Sequence, residues 1–203
     1  MPDRPFRAAT VVTSLMAVVA VTDMRADVRP QRRDAELLRQ KVATINAHAE
    51  RPTRQGRRTT VTQNELNAYF AYDGREQLPT GVVEPFLSII GTGRVSGRAV
   101  VDLDAVRREK GPTSLLDPMN YLMGRVPVTA TGVLKTSNGI GHFEFESASV
   151  GPLPIPKILL QEIVSYYSRT AANPVGIGLD DPFALPARIR EIQVQRGQAI
   201  IVQ

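Results

Sequence analysis

Residues 155–170 read IPKILLQEIVSYYSRT. At 3.6 residues per turn, Ile155, Leu159, Leu160, Ile163, Val164, Tyr166 and Tyr167 fill one arc of about half the circumference, while Lys157, Gln161, Ser165 and Ser168 crowd into a narrow polar band. An ordinary surface helix seats on an apolar stripe of about 100°. The wider arc therefore predicts a long apolar helix that needs a second cover, whether more protein, a partner or an apolar ligand.

Working outward, Pro152, Pro154 and Pro156 stiffen the chain ahead of this helix, with Pro156 suited to its first turn. Beyond it, Ile189–Gln195 and Gln198–Val202 form a closing hairpin turned at Arg196-Gly197. Upstream, Arg125–Thr136 and Ile140–Val150 flank Ser137-Asn138-Gly139, and Asn-Gly is the strongest short hairpin signal. Phe143 and Phe145 alternate with His142, Glu144 and Glu146, which predicts a sheet with one dry and one wet face. Val82–Ile90 and Arg94–Leu103 make an earlier hairpin through Gly91-Thr92-Gly93, and a helical interlude, Ser114–Met123, separates the two. Gly91, Gly93 and Gly97 read as turn and bulge residues. The body is thus α+β, an antiparallel meander with helices against its dry face.

Nearer the start, Thr62-Gln-Asn-Glu65 is a capping box opening a short helix with Leu66, Tyr69 and Phe70 on one face. The helix ends near Asp73-Gly74, where glycine is expected to supply a left-handed cap. Before it, Arg51–Arg58 (RPTRQGRR) is polar and broken by Pro52 and Gly56, which marks a linker and a domain boundary. Arg32–Glu50 places Ala35, Leu38, Val42, Ile45 and Ala49 along one seam of an amphipathic helix, too short for a coiled coil.

The first residues combine Arg4 and Arg7 with an uncharged run from Ala8 to Thr22. The run is shorter than the ~20 residues that span a bilayer. Ala20 and Ala26 offer cleavage points, so residues 1–26 read as a secretory signal, and a periplasmic or secreted protein is expected; an uncleaved, tethering leader is the alternative. The organisation is then signal 1–26, basic helix and linker 27–58, and an α+β domain 59–203. No cysteine exists, which excludes disulfides, thiol chemistry and lipoprotein anchoring. Charge is uneven: residues 27–58 hold nine basic and four acidic groups, residues 59–203 thirteen and fourteen. A basic arm on a neutral body points to peripheral contact with an anionic membrane surface. The arm lacks aromatics for base stacking, so nucleic acid is not an expected partner.

No catalytic constellation emerges. His48 and His142 are isolated, and no ligand spacing supports zinc or calcium. Asp102 and Asp104 read as the solvated rim of a strand end. Ser96 lies in Gly93-Arg-Val-Ser-Gly97, which lacks the spacing of a hydrolase elbow, and the same glycines miss the dinucleotide fingerprint by one position. The expectation is a non-enzymatic protein without cofactor or metal.

The capped helix Thr62–Tyr69, the glycine-punctuated meander Val82–Val150, the Leu153-Pro-Ile-Pro156 approach to an apolar helix and the hairpin from Leu185-Pro186 to Gly197 together resemble the tubular lipid-binding (TULIP) superfamily, in its small single-module bacterial envelope form. The resemblance implies a half barrel, a curved antiparallel meander wrapped around the long C-terminal apolar helix, with a groove that binds or transfers a phospholipid or other apolar lipid. Burying 12 to 16 methylenes at about 0.8 kcal/mol each gives on the order of 10 kcal/mol before the costs of association. Periodicity nominates the lining as Leu66, Tyr69, Phe70, Phe86, Phe143, Phe145, Leu159, Ile163, Tyr166 and Tyr167. The competing expectation is an envelope scaffold or adaptor whose apolar surface binds a protein partner or a second copy.

Overall fold

A computed structural model describes residues 30–53, 55–110, 123–169 and 173–203. The expected leader, residues 114–122 of the expected helical interlude and the side chains of Tyr166 and Tyr167 lie outside the described residues. Helix α1 (Arg32–Glu50) leads into β1 (Arg58–Thr62), α2 (Gln63–Tyr72), β2 (Val82–Gly91), β3 (Arg94–Asp102) and α3 (Leu103–Lys110). Then come β4 (Arg125–Ser137), β5 (Ile140–Val150), β6 (Leu153–Ile155), α4 (Lys157–Tyr167), β7 (Phe183–Ala184), β8 (Glu191–Gln195) and β9 (Gln198–Val202). The α+β class holds: β2 to β6 form an antiparallel meander, with β7 added beside β5, and β1, β9 and β8 form a separate three-stranded sheet.

Local chemistry accounts for these elements. Asn138 and Gly139 both take positive φ (50° and 81°), the two-residue geometry that matches strand twist and joins β4 to β5. At α2, Thr62 Oγ1 accepts the Glu65 N–H (3.2 Å) and the Glu65 carboxylate accepts the Thr62 N–H (2.9 Å), a complete capping box. Lys41 of α1 donates to both oxygens of the same carboxylate (2.6 and 2.8 Å), so one buried group caps α2 and ties α1 to it. Ala35, Leu38 and Ile45 are buried along the expected seam of α1, whereas Val42 of that seam is 38% exposed, and Ile45 joins Leu185 and Ile189 in a small core. Gln203 Nε2 closes this corner by donating to the carbonyls of Ile45 (2.9 Å) and Ala187 (2.7 Å).

Helix α2 also protects the edge of the large sheet. Asn67 Nδ2 donates to the Leu87 carbonyl (2.9 Å), its Oδ1 accepts the Leu87 N–H (2.7 Å), and Gln63 Oε1 accepts the Ile89 N–H (2.7 Å). Side-chain amides thus replace the missing strand neighbour and remove a template for edge-to-edge association.

Register sorts the large sheet into two faces. Directly paired residues share a face, so Leu87 and Ile89 of β2, Val95, Gly97, Ala99 and Val101 of β3, Val126, Val128, Ala130 and Leu134 of β4, and Phe143, Phe145, Ala148 and Val150 of β5 lie together. The opposite face is wet, with ion pairs Arg94–Glu146 (2.7 Å) and Lys135–Glu144 and a Thr131–Ser96 hydroxyl pair (3.0 Å).

Several expectations are corrected. The long C-terminal helix is not seen: α4 spans 11 residues, its main contacts with the sheet are with β5, and the chain ends in strands. Ile155 belongs to β6, Pro156 stands at the N-cap rather than in the first turn, and Ser168 ends the helix by donating its hydroxyl back to the Val164 carbonyl (2.6 Å). The polar band of α4 is covered as well as part of its apolar arc. Gln161 Oε1 accepts the Leu179 N–H (2.7 Å), Ser168 Oγ accepts the Ile177 N–H (2.7 Å), and Lys157 pairs with Asp180 (2.7 Å), so the returning chain docks there. Ile158 and Leu159 on the same helix remain 79% and 52% exposed.

The last residue of the expected linker, Arg58, opens strand β1, which pairs with β9, and the proline-rich approach contains β6, whose Pro154 is tolerated on a short outer strand. Leu103 opens α3 instead of ending β3, and Asp102 accepts the Ala105 N–H (2.9 Å) as its cap rather than standing as a free rim. Gly74 has φ −91°, not left-handed geometry. An added Cβ there would lie 3.0 Å from the Tyr69 ring and 3.3 Å from Phe70, so these rings would have to give by a few tenths of an ångström.

Candidate functional site

The dry face has small residues at its centre and large ones at its margins. Gly97 pairs with Leu87 on one side and Ala130 on the other, and neither pairing contains a register shift there. Gly97 is therefore a mid-strand residue, not the bulge glycine expected. Among the described residues, an added Cβ at Gly97 would meet nothing within 4 Å, so no described residue fills the space above it. Two other glycines on this face are roofed: a Cβ at Gly132 would strike the Phe143 ring, and one at Gly141 would lie 2.5 Å from the Phe183 ring.

The result is a shallow trough. Its floor is Gly97, Ala99, Ala130 and Ala148; Leu87 and Ile89 stand on one side, Leu134, Phe143 and Phe145 on the other. Three strand spacings and six residues of β3 make the face about 14 Å wide and about 20 Å long. Among the trough residues named, Ile89 is buried at 4%, while Leu87, Ala99, Ala130, Leu134, Phe143, Phe145 and Ala148 are only partly buried.

The ten expected lining residues do not converge on this trough. Phe143 and Phe145 form one wall of it. Phe86 pairs with Arg98 and so lies on the opposite face. The cause is a bulge: Val83 pairs with Val100 but Phe86 with Arg98, and Glu84, at φ 51°, takes up the extra residue. Phe70 joins Phe86 on that opposite face, and Tyr69 meets Phe70 edge to face with centroids 6.3 Å apart. Leu66 is half-buried on α2, Ile163 half-buried and Leu159 exposed on α4. Periodicity missed the small residues of the floor, because their role depends on pairing partners far along the chain.

The second concavity, a cleft of 880 Å³, lies between α2, the 3₁₀ turn Arg75–Gln77 and the wet face of β2, β3 and β4. Phe70, Val83, Phe86, Val100 and Pro127 give it apolar walls, Ala99 and Val128 of the dry face line it as well, and Arg75, Arg98 and Arg125 stand around it with Glu84. The Arg98 guanidinium lies over the Phe86 ring at 4.5 Å from its centroid. Arg125 Nε approaches Asp102 Oδ2 at 3.5 Å. The Ala105 N–H, with Arg125 adding to it, holds the Asp102 carboxyl below the usual carboxylate range.

No family model and no curated protein matches this sequence. Among the described residues no helix is long and apolar enough to cross a membrane.

Proposed function

We propose that this protein binds a lipid by its acyl chains in the trough on the dry face and holds or transfers it without covalent chemistry. One observation supports this most: no described residue fills the space above Gly97, while Leu87, Ala99 and Ala130 around it are apolar and only partly buried. A face of this kind exposed to water is unfavourable by about 25 cal/mol per Å² of apolar surface, and an acyl chain removes that surface from water with no hydrogen-bond requirement. The TULIP-like reading of the sequence agrees with such a use of an antiparallel sheet. With removal of a signal at residues 1–26, the site of action is the periplasm or the exterior of the cell, with the basic arm of residues 27–58 meeting anionic headgroups.

A second reading has its own support. Leu153, Ile158, Leu159, Val175 and Ile177 are apolar residues exposed to a partner. In that reading the protein is an envelope scaffold or adaptor. Native mass spectrometry of protein purified without detergent, followed by organic extraction, separates the two. Stoichiometric lipid on a monomer is the expected result. A lipid-free protein that self-associates with rising concentration would favour the adaptor and count against the trough.

A further inference from the structure

We propose that the outer corner of the meander, strand β6 with the first turn of α4, is a membrane-docking lip through which the trough exchanges lipid with a bilayer. The inference rests on the acyl-chain reading of the trough and names the partner that loads that site. Register carries the trough to this corner. The row that crosses its floor, Gly97, Ala130 and Ala148, continues to Ile155, and the next row, Ala99, Val128 and Val150, ends at Leu153. Directly paired residues share a face, so Leu153 stands on the outer margin of the dry face, where it is 69% exposed. Ile158 and Leu159, the exposed apolar residues of α4, follow at once in the chain, which holds all three within about 20 Å.

The polar groups of the corner favour a bilayer over a second copy joined edge to edge. From Ser147 to Pro156 (SASVGPLPIP) there is no charged side chain, and Lys157, which follows, is paired with Asp180 at 2.7 Å. Strand β6 is the outermost of the meander and meets β5 at Leu153–Val150, Pro154–Ser149 and Ile155–Ala148. Pro154 has no N–H, so the ladder to β5 runs through the N–H groups of Leu153 and Ile155. The alternate positions, which face outward, are Pro152, Pro154 and Pro156, and they leave only carbonyls on that edge. An open edge ordinarily presents donors that recruit another strand and that are costly to remove from water. This edge presents none at those positions. Glu162, exposed one turn beyond Ile158, limits entry to the first turn of α4. The N–H groups of that turn, which have no side-chain cap, stay at the level of water and headgroup oxygens.

The chain has no cysteine, so a Leu153→Cys protein can carry a single nitrobenzoxadiazole probe. The test mixes it with phosphatidylcholine vesicles containing doxyl-labelled lipid, a zwitterionic surface that offers the basic arm no anionic headgroup. The probe is expected to shift to the blue and to be quenched by the doxyl lipid. The same probe in a Thr60→Cys protein, on the exposed outer strand of the small sheet, should do neither. Adding Ile158→Ser/Leu159→Ser, with folding checked by circular dichroism, should weaken vesicle binding about 100-fold, roughly tenfold for each apolar side chain withdrawn from the bilayer. Fatty-acid binding in solution without vesicles should be unchanged in that variant. Equal quenching at Leu153→Cys and Thr60→Cys, or unchanged vesicle binding in the folded variant, would overturn the lip. A blue shift that grows with protein concentration in the absence of vesicles would give the corner to a second copy and overturn the bilayer as its partner. Failure of the trough is read separately, as a parent protein that binds no fatty acid in solution, and Gly97→Phe should lose that binding while keeping the quenching.

Discussion

Gly97→Phe is expected to leave the protein folded and at least as stable as the parent, yet to weaken acyl-chain binding by about 100-fold. The position is extended and mid-strand, paired without a register shift, so a side chain meets no backbone penalty. Glycine in a strand interior costs about 0.5–1 kcal/mol relative to alanine, and that cost is recovered by the substitution. The new ring enters the open space above the floor and takes the place of about four methylenes of ligand. At about 0.8 kcal/mol each this is about 3 kcal/mol, or roughly two powers of ten in affinity. Chemical denaturation read beside displacement of a fluorescent fatty acid checks both halves. Destabilisation by more than about 2 kcal/mol would show that protein already fills this space, since overpacking a closed core costs that much. A stable variant that binds the fatty acid like the parent would move the ligand elsewhere.

Glu65→Ala is the second large effect, on stability rather than binding. The carboxylate is buried, accepts the Thr62 N–H and receives both contacts from Lys41, whose side chain is 30% exposed. Loss of a capping interaction costs about 1 kcal/mol. Loss of one partner from a fully buried ion pair costs more, but here Lys41 can turn to water, so the combined effect is about 2–3 kcal/mol. For a domain of this size that lowers Tm by about 5–10 °C. Glu65→Gln should fall between, because its amide oxygen still accepts the Thr62 N–H while the ion pair is gone. A Tm change below about 1 °C for Glu65→Ala would mean that α1 and α2 are joined by apolar contact alone.

The elements that could be read from the chain are those whose determinants are local. The seam of α1, the capping box at Thr62 and the Asn138-Gly139 hairpin each depend on residues within one or two turns of one another, and each is present with nearly the bounds expected. The elements that were misread depend on distant partners. Arg58, the last residue of the expected linker, opens strand β1, whose pairing with β9 comes from the far end of the chain. The polar band of α4 looks like a solvated face, but the backbone of residues 177–179 uses it as a docking surface.

The site divides in the same way. Alternation correctly placed Phe143 and Phe145 on the dry face, because β5 runs regularly through them. It could not place Phe86, since one inserted residue reverses every side chain that follows it. Pro85 within an otherwise continuous strand was the available signal of that bulge. Gly97 carried no signal of its own. Its meaning comes from lying between Leu87 and Ala130 in register, and single-chain periodicity does not contain register.

The most direct measurement is photo-crosslinking with a fatty acid that bears a diazirine near its tail, followed by residue-level mapping of the adducts. Binding in the trough predicts adducts at Ala99, Ala130 and Phe145, with loss of all of them in Gly97→Phe. Adducts confined to Phe70 and Phe86, or to the exposed residues Ile158, Leu159 and Ile177, would contradict it.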